Sequence, residues 1–293
     1  MRWESAGKGE RSMELVAIGG DLRYAHLVDW ARRDGVDAAG LGLEYAGLDI
    51  PQAKLVDLRD VEAVILHNPF GPAGMAFPYA QNPYLPDEVW AALPGGTPVY
   101  LFGPGEIPKD FCQKYAATSL NGNEHLTLRN AVYTAEGAIH SVSERALFSL
   151  SEANVMVVGY GRIGRALTAM LLGYGAKVTV AARSPESRSL AERAGARAVD
   201  LEEMLSHLPA QRAVFSTPPQ RVLEARQLSY LRQGAMVLDL SSPPYGVDIK
   251  TAQTMGLNAW REPGLPGRFC PESAGRALLY AIREARKGGV TYE

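Results

Sequence analysis

The sequence predicts an α/β protein with two doubly wound parallel-sheet domains, joined by a long helix and meeting at an interdomain cleft. Three observations predict it. Short apolar runs end in glycine and give way to helical periodicity, first at residues 15–20 (LVAIGG) and again at 154–159 (NVMVVG). Each opening leads into a second apolar run, 37–43 and 177–182, as a βαβ unit requires. At roughly 150 residues per domain, the 293 residues make two domains.

In chain order, the first opening is a strand followed by Asp21, a helix N-cap, and by apolar Leu22, Ala25, Leu27, Val28 and Ala31 at helical spacing. Runs 63–67 (AVILH) and 98–102 (PVYLF) read as buried strands. They end at Asn68-Pro69-Phe70-Gly71 and Gly103-Pro104-Gly105, in the turns where open α/β sheets hold ligands. Residues 69–86 carry five prolines and read as a long loop over the cleft. Residues 129–150 lack proline and space their apolar side chains as one long helix. Residues 165–173 read as helix and 213–216 and 236–240 as strands. Residues 274–286 form a terminal helix that crosses back to the first domain. The expected domains are 13–128 for substrate or partner, 129–150 as linking helix, 151–268 for a dinucleotide, and 272–288 as the returning helix. The first 12 residues, polar throughout, read as a loose extension.

Composition excludes several classes. Hydrophobic residues make up 46% and charged residues 21%, ordinary globular usage. With 32 acidic and 30 basic residues, nothing draws the chain to nucleic acid or an anionic membrane. Two cysteines without C-x-x-C spacing make neither a disulfide framework nor a zinc site, and no metal is expected. No apolar stretch approaches the roughly 20 residues of a membrane span. A soluble, cytoplasmic protein is expected. No nucleophile-elbow, zinc-protease or P-loop pattern occurs.

The strongest motif is Gly159-Tyr160-Gly161-Arg162-Ile163-Gly164, after one strand, opening a helix, before a second strand. The glycines allow a tight turn, admit a pyrophosphate to the backbone and let helix approach strand, while free N–H groups at the helix start face the phosphates. This is a Rossmann-type dinucleotide site. In NAD binders an acid ends the next strand; here Ala182-Arg183-Ser184 stands there, and a guanidinium beside a hydroxyl suits the 2′-phosphate of NADP(H). Ser216-Thr217-Pro218 ends a strand where a wall of the nicotinamide site is expected, and Ser241-Ser242 ends the next. Gly264, Leu265, Pro266 and Gly267, in a Pro/Gly loop whose backbone amides can bind a carboxylate, are candidate substrate binders. Arg23, at the first helix start, is a candidate anion binder, and Asn68, in the turn that ends the 63–67 run, is a candidate substrate binder. His67 ends a strand and Glu136 lies on the linking helix; either is a candidate proton acceptor. His207, the sole histidine after the fingerprint, lies in a loop-like stretch, which argues against imidazole-driven alcohol–ketone chemistry.

Gly19-Gly20-Asp21-x-Arg23, Thr134-Ala135-Glu136-Gly137-Ala138, the fingerprint, Ala182-Arg183 and Pro263-Gly264-Leu265-Pro266-Gly267 occur together and in order. With Pro271-x-Ser273-Ala274-Gly275 they make the chain resemble the A subunits of dipicolinate synthase from spore-forming bacteria, over about residues 13–287. One departure is Ser242-Pro243-Pro244-Tyr245-Gly246-Val247-Asp248, where the family more often carries Ser/Arg-Pro-Gly-Gly-x-Asp. The resemblance implies oxidation of dihydrodipicolinate to dipicolinate during sporulation, with NADP⁺ as hydride acceptor. It also implies a partner, a flavoprotein-like B subunit, and a homo-oligomer is expected as well. Two alternatives stay open: another NADP-dependent dehydrogenase of a small amino or hydroxy acid, and a non-catalytic NADP(H)-sensing protein.

Overall fold

The computed structural model describes residues 13–71 and 74–287; the expected N-terminal extension and position 288 lie outside them. The chain divides into two compact units, one up to Asn130 and from Pro266 onward, the other Ala131–Leu265. Both are Rossmann-like α/β units built on parallel sheets, as the sequence predicts.

The first unit runs β1 (Leu15–Ile18), α1 (Leu22–Arg33), β2 (Ala38–Leu41), β3 (Val64–His67), α2 (Pro86–Ala92), β4 (Pro98–Phe102), α3 (Lys109–Lys114) and β5 (Ala116–Ser119). Its strands pair in the order β2-β1-β3-β4-β5, all parallel. β1, β2 and, up to its terminal His67, β3 are apolar and buried, as strands covered on both faces must be. The segment from Pro69 to α2 forms no strand or α-helix among its described residues, and it is tied down. Phe77 enters the core, and the Ala76 carbonyl accepts from Gly20 N at 2.8 Å.

α4 (Glu124–Arg145) carries the chain onward. It starts and stops about five residues earlier than expected. The Asn123 side chain accepts from Leu126 N at 2.8 Å and caps the helix there. Ala146 and Leu147 prolong the apolar periodicity beyond its end, where Leu147 is exposed.

The second unit contains β6 (Asn154–Val158), α5 (Arg162–Gly173), β7 (Lys177–Ala181), α6 (Pro185–Arg193), β8 (Arg197–Val199), α7 (Met204–His207), β9 (Ala213–Ser216), α8 (Ala225–Leu228), β10 (Met236–Asp239), α9 (Ile249–Thr254) and β11 (Asn258–Arg261). Its parallel order is β11-β10-β9-β6-β7-β8, which is 6-5-4-1-2-3 counted within the unit. Ser141, on the part of α4 belonging to this unit, donates to Glu262 and accepts from Trp260 Nε1 at 3.1 Å, fastening the edge strand β11.

Two local expectations are corrected. His207 ends the short helix α7 rather than lying in a loop. The expected loop 263–267 runs into a one-turn helix, α10 (Leu265–Phe269), because only Gly264, at φ +70°, needs turn geometry. α11 (Pro271–Lys287) follows, with proline at its first position, where the missing N–H costs nothing. No helix among the described residues is long and apolar enough to cross a membrane.

α11 packs along α1, and Gly275 makes this possible. A Cβ there would sit 2.5 Å from the Arg23 carbonyl oxygen and 2.8 Å from Leu27 N, both rigid backbone. Gly275→Ala is therefore expected to destabilise the protein by about 2 kcal/mol through overpacking, read as a lower urea midpoint with an unchanged slope.

Candidate active site

In open parallel sheets, ligands bind beyond the carboxyl ends of the strands, where the strand order reverses. The second sheet reverses between β6 and β9, and the fingerprint follows β6. Gly159 turns at φ +89°, and a Cβ on it would meet Thr217 Oγ1 at 2.4 Å. Gly164 lies so close under this turn that a Cβ would fall 2.2 Å from the Gly159 carbonyl oxygen. Gly161 is the N-cap of α5; no side chain caps it, and a Cβ there would meet nothing within 4 Å. The cradle is therefore closed toward the protein and open at Gly161, with the helix start presenting backbone donors. These residues fit a pyrophosphate. Tyr160 is buried, with the Arg165 guanidinium over its ring and Arg165 Nε donating to its carbonyl at 3.2 Å. Arg162 and Ile163 form the first turn of α5.

Ser216, Thr217 and Pro218 back the turn. Thr217 Oγ1 donates to the Val158 carbonyl at 3.0 Å, and Pro218 packs on Gly159. Ser216 is fully buried, its hydroxyl has no hydrogen-bond partner among the described residues, and Gly246 lies over it.

At the end of β7, Arg183 Nη2 donates to Gln220 Oε1 at 2.6 Å. Ser184 caps α6 through Ser187 N at 3.1 Å. Arg183, Gln220, Arg221 and Arg226 line a cavity of about 250 Å³ there. Gln220, Arg221 and Arg226 are not legible as site residues in the sequence, since their shared position depends on the crossover after β9.

After β10, Ser241 is not available as a ligand group. Its hydroxyl donates to Asp239 Oδ1 at 2.6 Å and accepts from Gly246 N at 2.7 Å. Asp239 Oδ2 is held by Arg261 Nη2 at 3.1 Å, and Arg261 lies 3.5 Å from the centre of the Tyr245 ring. This partly buried ion pair, which also holds the Val247 backbone, shapes the Ser242–Asp248 departure. Ser242 is exposed on it.

The first sheet reverses between β1 and β3. Gly19-Gly20 leaves β1, and His67-Asn68 leaves β3. The Asp21 carboxylate caps α1 and grips Arg23. Arg23 Nε donates to Oδ1 at 2.8 Å and Nη2 donates to Oδ2 at 2.7 Å. Arg23 Nη1 reaches Asn130 Oδ1 at 3.4 Å, and the guanidinium lies 5.8 Å from the centre of the Phe102 ring. Burial pulls the Arg23 pKa down, and Asp21 more than cancels this, leaving it raised. Arg23 thus stays charged.

His67 is lowered from its ordinary 6.5, first by burial and then by the Arg23 charge; Asp21 and the Asn68 backbone offset part of this. Its Nδ1 is buried and meets no partner at hydrogen-bond geometry among the described residues. Asn68 is occupied with loop structure: Nδ2 donates to the Gly105 carbonyl at 2.7 Å and Oδ1 accepts from Phe70 N at 3.1 Å. Leu265, Pro266 and Gly267 are buried and Pro266 has no N–H, so within this segment the exposed Gly264 keeps an accessible amide. Glu136 is exposed, on the part of α4 that belongs to the second unit.

Residues 124–241 match the family model of the D-isomer specific 2-hydroxyacid dehydrogenases, NAD binding domain. The A subunit of dipicolinate synthase from Bacillus subtilis is 30% identical over 159 residues, which are 54% of each chain. The chain thus aligns with about half the length of that curated relative. The solved A subunit from Bacillus halodurans shares the fold with a TM-score of 0.81 at 24% identity, covering 94% of this chain and 98% of that one. The solved A chain of the Bacillus subtilis enzyme gives 0.77 at 21% identity, covering 94% and 96%. The chain resembles the A subunits of dipicolinate synthase. Its second unit is of the nicotinamide-dinucleotide-binding kind found in dehydrogenases, and an oxidoreductase is supported.

Because a Cβ at Gly161 meets only open space, Gly161→Ala should fold and melt as the parent does. It should bind a nicotinamide dinucleotide about tenfold more weakly, about 1.4 kcal/mol, in a calorimetric titration; unchanged affinity would put the pyrophosphate elsewhere.

Proposed function

We propose that this chain oxidises dihydrodipicolinate to dipicolinate with NADP⁺, as the A subunit of a cytoplasmic dipicolinate synthase in a sporulating bacterium. A flavoprotein-like B subunit is the proposed partner, alongside self-association. The observation that carries the proposal is the buried guanidinium of Arg23 at the switch point of the first sheet, built by the Gly19-Gly20-Asp21-x-Arg23 opening that the resemblance rests on. A dicarboxylate substrate needs such a cation, and a phosphate-binding glycine turn alone does not supply one.

Aromatising a dihydropyridine removes one hydride and one proton. Bound NADP⁺ supplies the hydride acceptor. The chain's own residues bind and orient. Arg23 takes one substrate carboxylate by charge-assisted hydrogen bonds. The Gly264 amide is available for a carboxylate. His67, kept neutral by burial and by Arg23, accepts the proton; Glu136 is the alternative acceptor. Because the product gains aromaticity, positioning accounts for most of what the protein must contribute. Gly159–Gly164 hold the pyrophosphate, and Ser216–Pro218 back the turn that carries it. Arg183, turned by Gln220 and joined by Ser184, takes the ribose 2′-phosphate, where an acid would repel it.

The matched hydroxyacid dehydrogenase domain supports a second reading, a dehydrogenase of a small hydroxy or amino acid. His207 as the only histidine after the fingerprint speaks against it. The deciding experiment follows reduced-nicotinamide absorbance with NADP⁺ and fresh dihydrodipicolinate, with and without the B subunit. Reduction with dipicolinate formed supports the proposal. Turnover of a hydroxy or amino acid instead selects the second reading, and cofactor binding without turnover of any substrate indicates a sensing role.

Arg183→Ala should weaken NADP⁺ binding about tenfold or more while leaving NAD⁺ binding nearly unchanged; equal losses for both would remove Arg183 from 2′-phosphate recognition. The neutral imidazole is the base, and it is lost as pH falls through its lowered pKa. The acid limb of kcat/KM should therefore lie below pH 6.5, the ordinary histidine value. His67→Gln should abolish that limb together with most of kcat; a limb that persists unmoved would shift the role to Glu136.

A further inference from the structure

We propose that Asp21 is a positioning residue that fixes which edge of the Arg23 guanidinium meets a substrate carboxylate. This rests on the reading of Arg23 as the carboxylate binder. A guanidinium can receive a carboxylate along its Nε/Nη2 edge or along its Nη1/Nη2 end. Asp21 occupies the first: Nε lies 2.8 Å from Oδ1 and 3.1 Å from Oδ2, and Nη2 lies 2.7 Å from Oδ2. The terminal edge, which Asp21 does not grip, is the one assigned to the substrate. It is aimed by Asn130 Oδ1, 3.4 Å from Nη1, and by the Phe102 ring beside the guanidinium plane.

One side of the carboxylate lies against Gly267. A Cβ at position 267 would fall 2.3 Å from Asp21 Cγ and Oδ2 and 2.6 Å from Oδ1, so glycine there leaves the space that Asp21 fills. Gly267, expected to offer its amide to a carboxylate, serves the protein's own carboxylate. Asn130 is the last residue of the first unit before the chain enters the second, and Gly267 is the second residue after its return. The pair is thus held from both places where the chain leaves and re-enters the unit.

Helix capping does not account for this arrangement. A cap needs one acceptor oxygen, and Asp21 Oδ1 already accepts from Arg23 N at 3.1 Å. The second oxygen and the bidentate grip serve the guanidinium. Asn and Ser cap helices about as well as Asp, but neither grips a guanidinium with two charged oxygens.

The test compares Asp21→Asn, Asp21→Ser, Arg23→Ala and the double variant Asp21→Asn/Arg23→Ala in the full chain with its B subunit. Turnover of dihydrodipicolinate and calorimetric binding of dipicolinate are both read. The expected result is a loss of at least tenfold in kcat for both Asp21 variants, with KM within about threefold because the site gains net positive charge as it loses orientation. Asp21→Asn should add nothing further on the Arg23→Ala background, since Asp21 acts through Arg23. A loosened helix start would instead multiply the losses, and that outcome overturns the proposal. It is also overturned if both Asp21 variants keep kcat within twofold while Arg23→Ala is impaired; the carboxylate role of Arg23 then survives. If Arg23→Ala binds dipicolinate as tightly as the parent, the underlying reading of Arg23 fails and the positioning role falls with it.

Discussion

All strand pairs in both sheets are parallel, and the rest of the molecule follows from that constraint. A parallel neighbour cannot be reached by a hairpin; the chain must return over a face of the sheet. Every strand therefore ends on the same edge, and its turn opens there. Where the order reverses, two adjacent crossovers leave in opposite directions and a crevice opens between them. This happens once in each sheet, between β1 and β3 and between β6 and β9. All the chemistry-bearing groups of the first unit except Asn130 and Gly267 come from strand ends, turns or helix starts at that edge.

The two crevices are equipped differently. The second is backbone-built. Gly164 lies against the Gly159 carbonyl and Gly159 against Thr217, so neither tolerates a side chain, and the open Gly161 exposes the first turn of α5. Its charge is the partial charge of aligned peptide groups. The first is side-chain-built. Its Gly19 and Gly20 serve the turn under Phe77 and Tyr24, and its charge is the Arg23 guanidinium, which stays buried because Asp21 pairs with it. A backbone cradle suits a diphosphate common to many enzymes. An aimed guanidinium suits one small anion.

Much of this is readable from residue order. Strand–glycine–helix openings recur, and the fingerprint glycines fall where the turn needs them. The central strands are legible nearly to the residue because burial on both faces makes them continuous apolar runs. The short strands β5, β8 and β11 are not. Each is three or four residues long, and partial exposure along each of them leaves no such run. The start of α4 differs from its sequence-based position because an Asn cap outweighs apolar periodicity. The candidate site is half legible. Arg23 announces itself at a helix start, and His67 and Arg183 at strand ends. Their partners Asn130 and Gln220, 107 and 37 residues distant from Arg23 and Arg183, leave no mark in the local sequence.

What the sequence determined by itself is local: where strands stop, where helices begin, and which turns carry glycine, because these depend on neighbours within a few residues. Tertiary structure alone decided which groups are spent and which remain for ligands. Asn68, Ser241 and Thr217 have the chemistry of ligand groups and are taken up by the fold. Gly267 has the chemistry of a donor and is a space. Asp21 has the position of a cap and also holds the cation. Asn68, Thr217 and Gly267 meet groups that distant segments bring together, and Ser241 and Asp21 meet near neighbours that only the folded turn brings within reach, so no reading of residue type at one position can supply these outcomes.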